Sequence, residues 1–265
     1  TIAGYGDISL LGSVTASTLL TKAGPDTLTF GASNAATMTG GLAITAGVVN
    51  NGLLNAGTTG ALGAGTVTIS AGSALNLNGN NTDRAITTNG TSIANVGPNQ
   101  NSLGNIINSN LSASFSVHSP AAAGSAQLKL ANTAGTSTLT GNITMSTATL
   151  GIGSNTYASG GDIIASGIIS GAFILTKVGG DTLYLRGVNT FSGGLTVNFG
   201  SVILDNGGVL NGAGGALTVQ AGGSLVLDDT GTLTQNRINN GNSANNKNLV
   251  LNGGTFTING NSSAT

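Results

Sequence analysis

The chain has 265 residues, with 45 Gly, 3 Pro, no Cys and no Trp, 6% charged and 3% aromatic positions, and a formal net charge of −1. Without Cys there is no disulfide framework and no thiolate metal site, and 7 Lys and Arg are too few for the basic face that nucleic acid requires. Every acidic residue is Asp and strong helix formers are scarce, which argues against a helical bundle, while 39% hydrophobic residues and a mean hydropathy of +0.25 set the chain apart from disordered sequences.

Along the first third, apolar residues flank a small or polar one at Leu28/Phe30, Leu42/Ile44, Val67/Ile69 and Leu75/Leu77. The last third repeats the habit at Leu183/Leu185, Leu195/Val197, Val202/Leu204, Leu217/Val219, Leu225/Leu227, Leu249/Leu251 and Phe256/Ile258. This alternation is that of strands with one face buried and one face wet. Gly- and Asn-rich punctuators between the strands can take positive φ at little cost, so nearly the whole chain reads as strand and turn. No apolar run reaches the length of a membrane span, no leader pattern opens the chain, and no membrane insertion of this segment is expected. Thr1 at the start reads as a mature segment or an excised fragment.

Strand spacing alone leaves a sandwich, a barrel and a solenoid open. Internal repetition decides among them. Asp7-Ile8 through Lys22, Asp26 and Leu28 matches Asp162-Ile163 through Lys177, Asp181 and Leu183 at a constant offset of 155 residues. After a two-residue slip, Gly40-Gly41-Leu42 matches Gly193-Gly194-Leu195, and residues 60–78 match 212–228. The expected organisation is one β-solenoid over 1–265, with repeat units 7–105 and 162–262 and less regular connecting coils over 90–160. Coils of roughly 20 to 25 residues would number about 10 to 12 and stack into a rod of roughly 50 to 60 Å. The interior would be a thin aliphatic column with little room for aromatics. Rows of Thr, Ser and Asn on the outer faces would add side-chain ladders between coils.

Leu175-Thr176-Lys177-Val178-Gly179-Gly180-Asp181-Thr182-Leu183-Tyr184-Leu185-Arg186-Gly187-Val188-Asn189-Thr190-Phe191-Ser192-Gly193-Gly194-Leu195-Thr196-Val197 resembles the autotransporter-associated β-strand repeat. Leu20 to Ile44 is a degraded copy, with Ser33 to Met38 where the repeat has Asn-Thr-Tyr. The resemblance implies the passenger region of a bacterial surface protein: an all-β, right-handed parallel β-helix exported across the outer membrane, extracellular or on the outer cell surface; the scarcity of titratable groups, separately, argues against an enzyme. Expected partners are other coils or subunits stacked end to end and a host or cell-surface glycan or protein receptor; no cofactor is expected.

The titratable inventory is short. Lys22 and Lys177 stand four residues before Asp26 and Asp181, which reads as a structural corner motif, Asp capping a turn and Lys on the solvated face; a repeated ligand contact is the rival. Asp228-Asp229 could start the carboxylate cluster of a polysaccharide-acting β-helix enzyme, yet they align with Asn78 and Gly79, which favours turn chemistry. His118, in Ser-Val-His-Ser-Pro beside Pro120, reads as a loop residue, and the stretch with Pro98 and Pro120 as the place for a binding surface. Gly60–Gly65 and Gly212–Gly215 lack the Lys-Ser/Thr of a phosphate cradle, and the tandem calcium motif of some solenoids is absent. The readings carried forward are a rigid stalk with adhesive surface, a filament subunit built by end-to-end stacking, and a polysaccharide-acting enzyme.

Overall fold

The computed structural model describes residues 1–34, 37–51, 62–70, 73–76, 81–82, 86–89, 105–107, 110–111, 115–117, 127–132, 135–145, 149–153, 161–238 and 247–261. Among them there is no helix. Short strands of two to six residues assemble into sheets of 11, 8 and 7 strands and a two-stranded ribbon, and every pairing between strands is parallel. Because parallel neighbours need a crossover, each strand pairs with the strand one coil later, and the fold is a parallel β-solenoid. Ile8 pairs with Leu28 and Leu28 with Val49, steps of 20 and 21 residues; the longest steps are 31, from Leu75 to Ile106 and from Leu225 to Phe256, and 32, from Val219 to Leu251.

The expected alternation is realised as an inner and an outer face. Leu183 and Leu185 are fully buried while Thr182 and Tyr184 between and beside them are half-buried, and Val202, Leu204 and Leu225 repeat the pattern one and two coils later. Each such side chain taken out of water is worth about 1.5–3 kcal/mol, so the stack of inward rows holds the rod together. Leu77 lies outside the described residues. The interior is less purely aliphatic than the composition suggests: Phe30 and Phe191 fill it, and Asn34, Lys177 and Asn189 are buried within it. Leu249, Leu251 and Ile258 pair in register with Leu217, Val219 and Leu227 but stay 36%, 49% and 63% exposed, because their strands are the outermost of their sheets.

On the seven-stranded sheet, register places Thr21, Ala43, Thr68, Thr87, Ser116, Thr144 and Ser170 at paired positions of successive strands, and the Ser170 hydroxyl donates to Thr144 Oγ1 (3.4 Å). Within 90–160, strands Asn105–Ile107, Gln127–Ala131 and Thr149–Gly153 continue the eleven-stranded sheet without a break. Pro98, His118 and Pro120 fall outside the described residues.

The two sequence copies are out of phase around the rod. Strand Leu20–Lys22 lies in the seven-stranded sheet and Thr27–Phe30 in the eleven-stranded one. Their counterparts Leu175–Val178 and Thr182–Leu185 lie in the eleven- and eight-stranded sheets. The second copy is therefore advanced by one face, about a third of a turn in a three-sided coil.

Candidate functional site

The recurring Lys and Asp sit at the corner between two sheets, and the corner is built around the ammonium. Lys177 follows Thr176 in an inward-facing register, so its stem runs through the core and its Nζ meets the turn that follows. There it donates to the carbonyls of Val178 (2.8 Å), Gly179 (2.8 Å) and, one coil on, Phe199 (3.4 Å), and to Asp181 Oδ1 (3.0 Å). Both side chains of the Lys177–Asp181 pair have no solvent exposure. Burial pushes the Lys177 ammonium below its usual pKa, opposed by the charge and hydrogen bond of Asp181 and by the charge of Asp162. Lys22 does the same in the first copy, donating to Ala23 O (3.2 Å), Gly24 O (2.8 Å) and Ala46 O of the next coil (3.3 Å).

The structure corrects the expected solvated position of these lysines: Lys22 is 3% exposed and Lys177 not at all. A turn with a left-handed Gly, at Gly24 (φ +90°) and Gly179 (φ +76°), points its carbonyls inward, and an ammonium is the side chain that can serve three acceptors at once. The aspartates diverge. Asp181 turns inward onto Lys177, whereas Asp26 Oδ2 accepts the amide of Gly6 in the preceding coil (2.6 Å). Between Lys and Asp the copies differ in Ala23 for Val178 and Pro25 for Gly180, and Pro25 fixes the φ of the residue before Asp26.

The corner leaves no room on its far side. A Cβ at Gly200 (φ +70°) would lie 2.4 Å from both Gly179 O and Asp181 O and 2.8 Å from Lys177 Nζ; Gly47 (φ +69°) sits in the same place over Gly24 and Asp26. Glycine is thus required twice over, by conformation and by contact.

Two further repeated polar residues complete the clasp, and the sequence reading missed their role. Asn189, fully buried, accepts the Ile169 amide of the preceding coil (3.0 Å) and donates to Gly187 O (2.8 Å) and to Val209 O of the following one (3.3 Å), joining three coils through one side chain. Its counterpart Asn34 accepts the Val14 amide (2.6 Å) and donates to Ala32 O (3.2 Å). Asp7 and Asp162 each accept an amide one coil ahead, Thr27 N and Thr182 N, at 2.9 Å. All of these stand at the 155-residue offset, which was the available signal.

Asp228 and Asp229 are engaged locally. Asp228 Oδ1 accepts the Thr230 hydroxyl (2.7 Å) and amide (3.0 Å), which hold its carboxyl below the usual range, helped by Arg237. Asp229 Oδ1 accepts Arg237 Nε (2.8 Å) and the Thr234 amide (3.0 Å). Arg237 is 3% exposed and spends its other donors on the carbonyls of Gly208, Asn206, Asp228 and Thr232, fastening the 229–238 loop to the preceding coil. Lys247 serves a third Gly-rich turn, through Gly212 O (2.5 Å) and Gly214 O (2.7 Å). Among the described residues no three His, Asp or Glu side chains gather as a metal site would need.

Both copies thus share four clasp positions: the buried Lys, the left-handed Gly two residues on, the inward Asn and the capping Asp. No curated protein and no solved structure matches the chain. The model of the passenger-associated-transport-repeat family matches residues 20–50 and 175–211, the two stretches that contain the Lys corner and the glycine packed on it. Residues 20–50 and 175–211 are thus similar to the passenger-associated-transport-repeat, and each of these stretches lies within the β-solenoid and holds one buried lysine at its turn.

Proposed function

We propose that the chain is a non-enzymatic, rigid stalk within the extracellular part of a bacterial surface protein. The repeat and the solenoid fit an autotransporter passenger module, and the repeat family suggests a surface or extracellular location. The observation that carries the stalk reading is the unbroken run of eleven parallel strands, reinforced where Lys177 and Asn189 tie neighbouring coils through buried hydrogen bonds. With about 4.8 Å per strand, ten steps make a rod of about 48 Å. We infer right-handed winding, the sense that connections between parallel strands take almost without exception. The engagement of Asp228 with Thr230 and of Asp229 with Arg237 supports a structural role for the acidic pair.

Antibodies against the chain, applied to intact bacteria that express the parent protein, test the location: labelling without permeabilisation is expected, and labelling only after lysis refutes it. Small-angle scattering of the purified chain tests the stalk. A stiff elongated particle near the rod length is expected, and a compact or flexible one refutes the reading.

A further inference from the structure

The outer face of the eight-stranded sheet differs from the other faces. Register stacks Ile164 on Tyr184, Tyr184 on Ile203 and Ile203 on Val226, one apolar residue per coil, and all four are half-exposed. On one side runs a hydroxyl row, Thr182, Ser201, Ser224 and Thr255. On the other side Arg186 and Asp205 form a two-pronged ion pair, with Nη2 and Nε of Arg186 at 2.8 and 3.0 Å from the carboxylate. The guanidinium carbon of Arg186 stands 5.4 Å from the centre of the Tyr184 ring, so ring and fork are held in one arrangement before anything binds.

The fold does not require this stripe. In the first copy the corresponding register positions are Ser9, Thr29, Asn50 and Asn76, polar throughout, and Gly31 stands where Arg186 does. The strands there pair in the same parallel register with neither an apolar row nor an aromatic residue at these positions. The second copy has gained an amphipathic strip whose features repeat every strand, about 4.8 Å apart, over about 14 Å of rod.

We propose that this strip binds a neutral, extended polysaccharide chain lying along the rod axis. The pyranose rings of β-1,4-linked glycans present C–H faces that pack on aromatic and aliphatic side chains, and edge hydroxyls that bond to hydroxyl rows and fixed carboxylates. Their sugar units repeat at nearly the strand spacing. Arg186 is neutralised by Asp205, and Asp162 and Asp228 leave the face slightly acidic, which disfavours sulfated or uronic chains. A protein partner would need a pocketed, desolvated anchor at its centre, whereas the apolar residues here stand one per coil in a single half-exposed line. This inference rests on the extracellular stalk reading, since it supplies the surface that such a stalk would present.

The test is affinity electrophoresis of the whole chain through native gels containing hydroxyethylcellulose, with heparin gels in parallel. Retardation by the neutral glucan and none by heparin is expected. Tyr184→Ala should weaken the dissociation constant about tenfold or more, and Tyr184→Phe should stay within about threefold. Thr196→Ala, on another face, should match the wild type. Unretarded migration of a wild type that scatters as a rod would overturn the glycan strip and leave the stalk standing. Equal retardation of wild type and a folded Tyr184→Ala, or stronger retention by heparin, would overturn it as well. Glucan binding by a chain that scatters as a compact particle would uphold the strip and sink the stalk.

Discussion

Replacing Lys177 with Met keeps the length and the apolar stem of the side chain and deletes the ammonium. What remains is Asp181, a carboxylate without solvent exposure, and three carbonyls that have lost a donor. Breaking a buried ion pair by removing one partner costs about 3–5 kcal/mol, chiefly because the other charge is stranded. Lys22→Met is the internal comparison, because its partners are all main-chain carbonyls and no carboxylate is abandoned. Its cost should stay near the penalty of unsatisfied carbonyls, about 1–3 kcal/mol. A solenoid opens coil by coil, so a single unfolding free energy blurs the difference and hydrogen exchange resolves it. The amides to follow are Asn198, bonded to Lys177 O at 3.0 Å, and Thr45, bonded to Lys22 O at 2.9 Å. At 1.4 kcal/mol per tenfold, Asn198 should lose protection by about 100-fold or more in Lys177→Met, and Thr45 by less in Lys22→Met. Adding Asp181→Asn should restore part of the loss. Equal losses at the two corners, with no recovery on neutralising Asp181, would refute the idea that a stranded charge sets the cost.

Gly200→Ala should cost about 3 kcal/mol or more, since its Cβ would strike two carbonyls at 2.4 Å, while Gly214→Ala, at φ +68° with open space around it, should cost only the conformational penalty of about 1–2 kcal/mol; melting temperatures of the two variants compare them directly. Asn189→Leu should lose about 3 kcal/mol by leaving the Ile169 amide and Val209 carbonyl without their partner, whereas a substitution at solvent-facing Thr190 should be neutral within about 0.5 kcal/mol, as urea titration would show. Because burial lowers the Lys177 pKa, the unfolded chain binds the proton more tightly in the window between the lowered value and 10.5, so stability should rise as pH climbs through that window. Urea midpoints from neutral to alkaline pH should show the rise in the wild type and a reduced one in Lys177→Met; an identical slope in both would count against a strained ammonium. Asp228 has the opposite sense: its lowered pKa gives a contribution lost as pH falls through the folded value, and Asp228→Asn should remove that acid-side loss.

Much of the architecture was legible because a coil has few local rules. Alternation at Leu183/Leu185 and Val202/Leu204 identified the inward face, and the 155-residue offset identified a stacked repeat rather than a sandwich. The Lys corner was legible as a motif but not as a burial. A lysine reads as solvated by default, and the acceptors that draw Lys177 inward are main-chain carbonyls, which carry no residue-type signal. Asn34 and Asn189 were hidden for a related reason: in a chain this rich in Asn, only pairing across neighbouring coils distinguishes a buried clasp from a turn residue. The Arg186–Asp205 pair bridges 19 residues, one coil step, a coincidence visible only once the register is known.

The one-face advance between the copies bears on how the rod meets its surroundings. A sequence that repeats twice invites the picture of two equivalent handles in line, open to one bivalent reagent. Here the Lys22 and Lys177 corners look out over different edges, so an antibody or receptor arm approaching from one side reaches one copy and sees the flank of the other. Engaging both would mean reaching round the shaft. From outside, the two copies of the corner do not recur along one edge, and each side is free to acquire its own surface without disturbing the shared scaffold within.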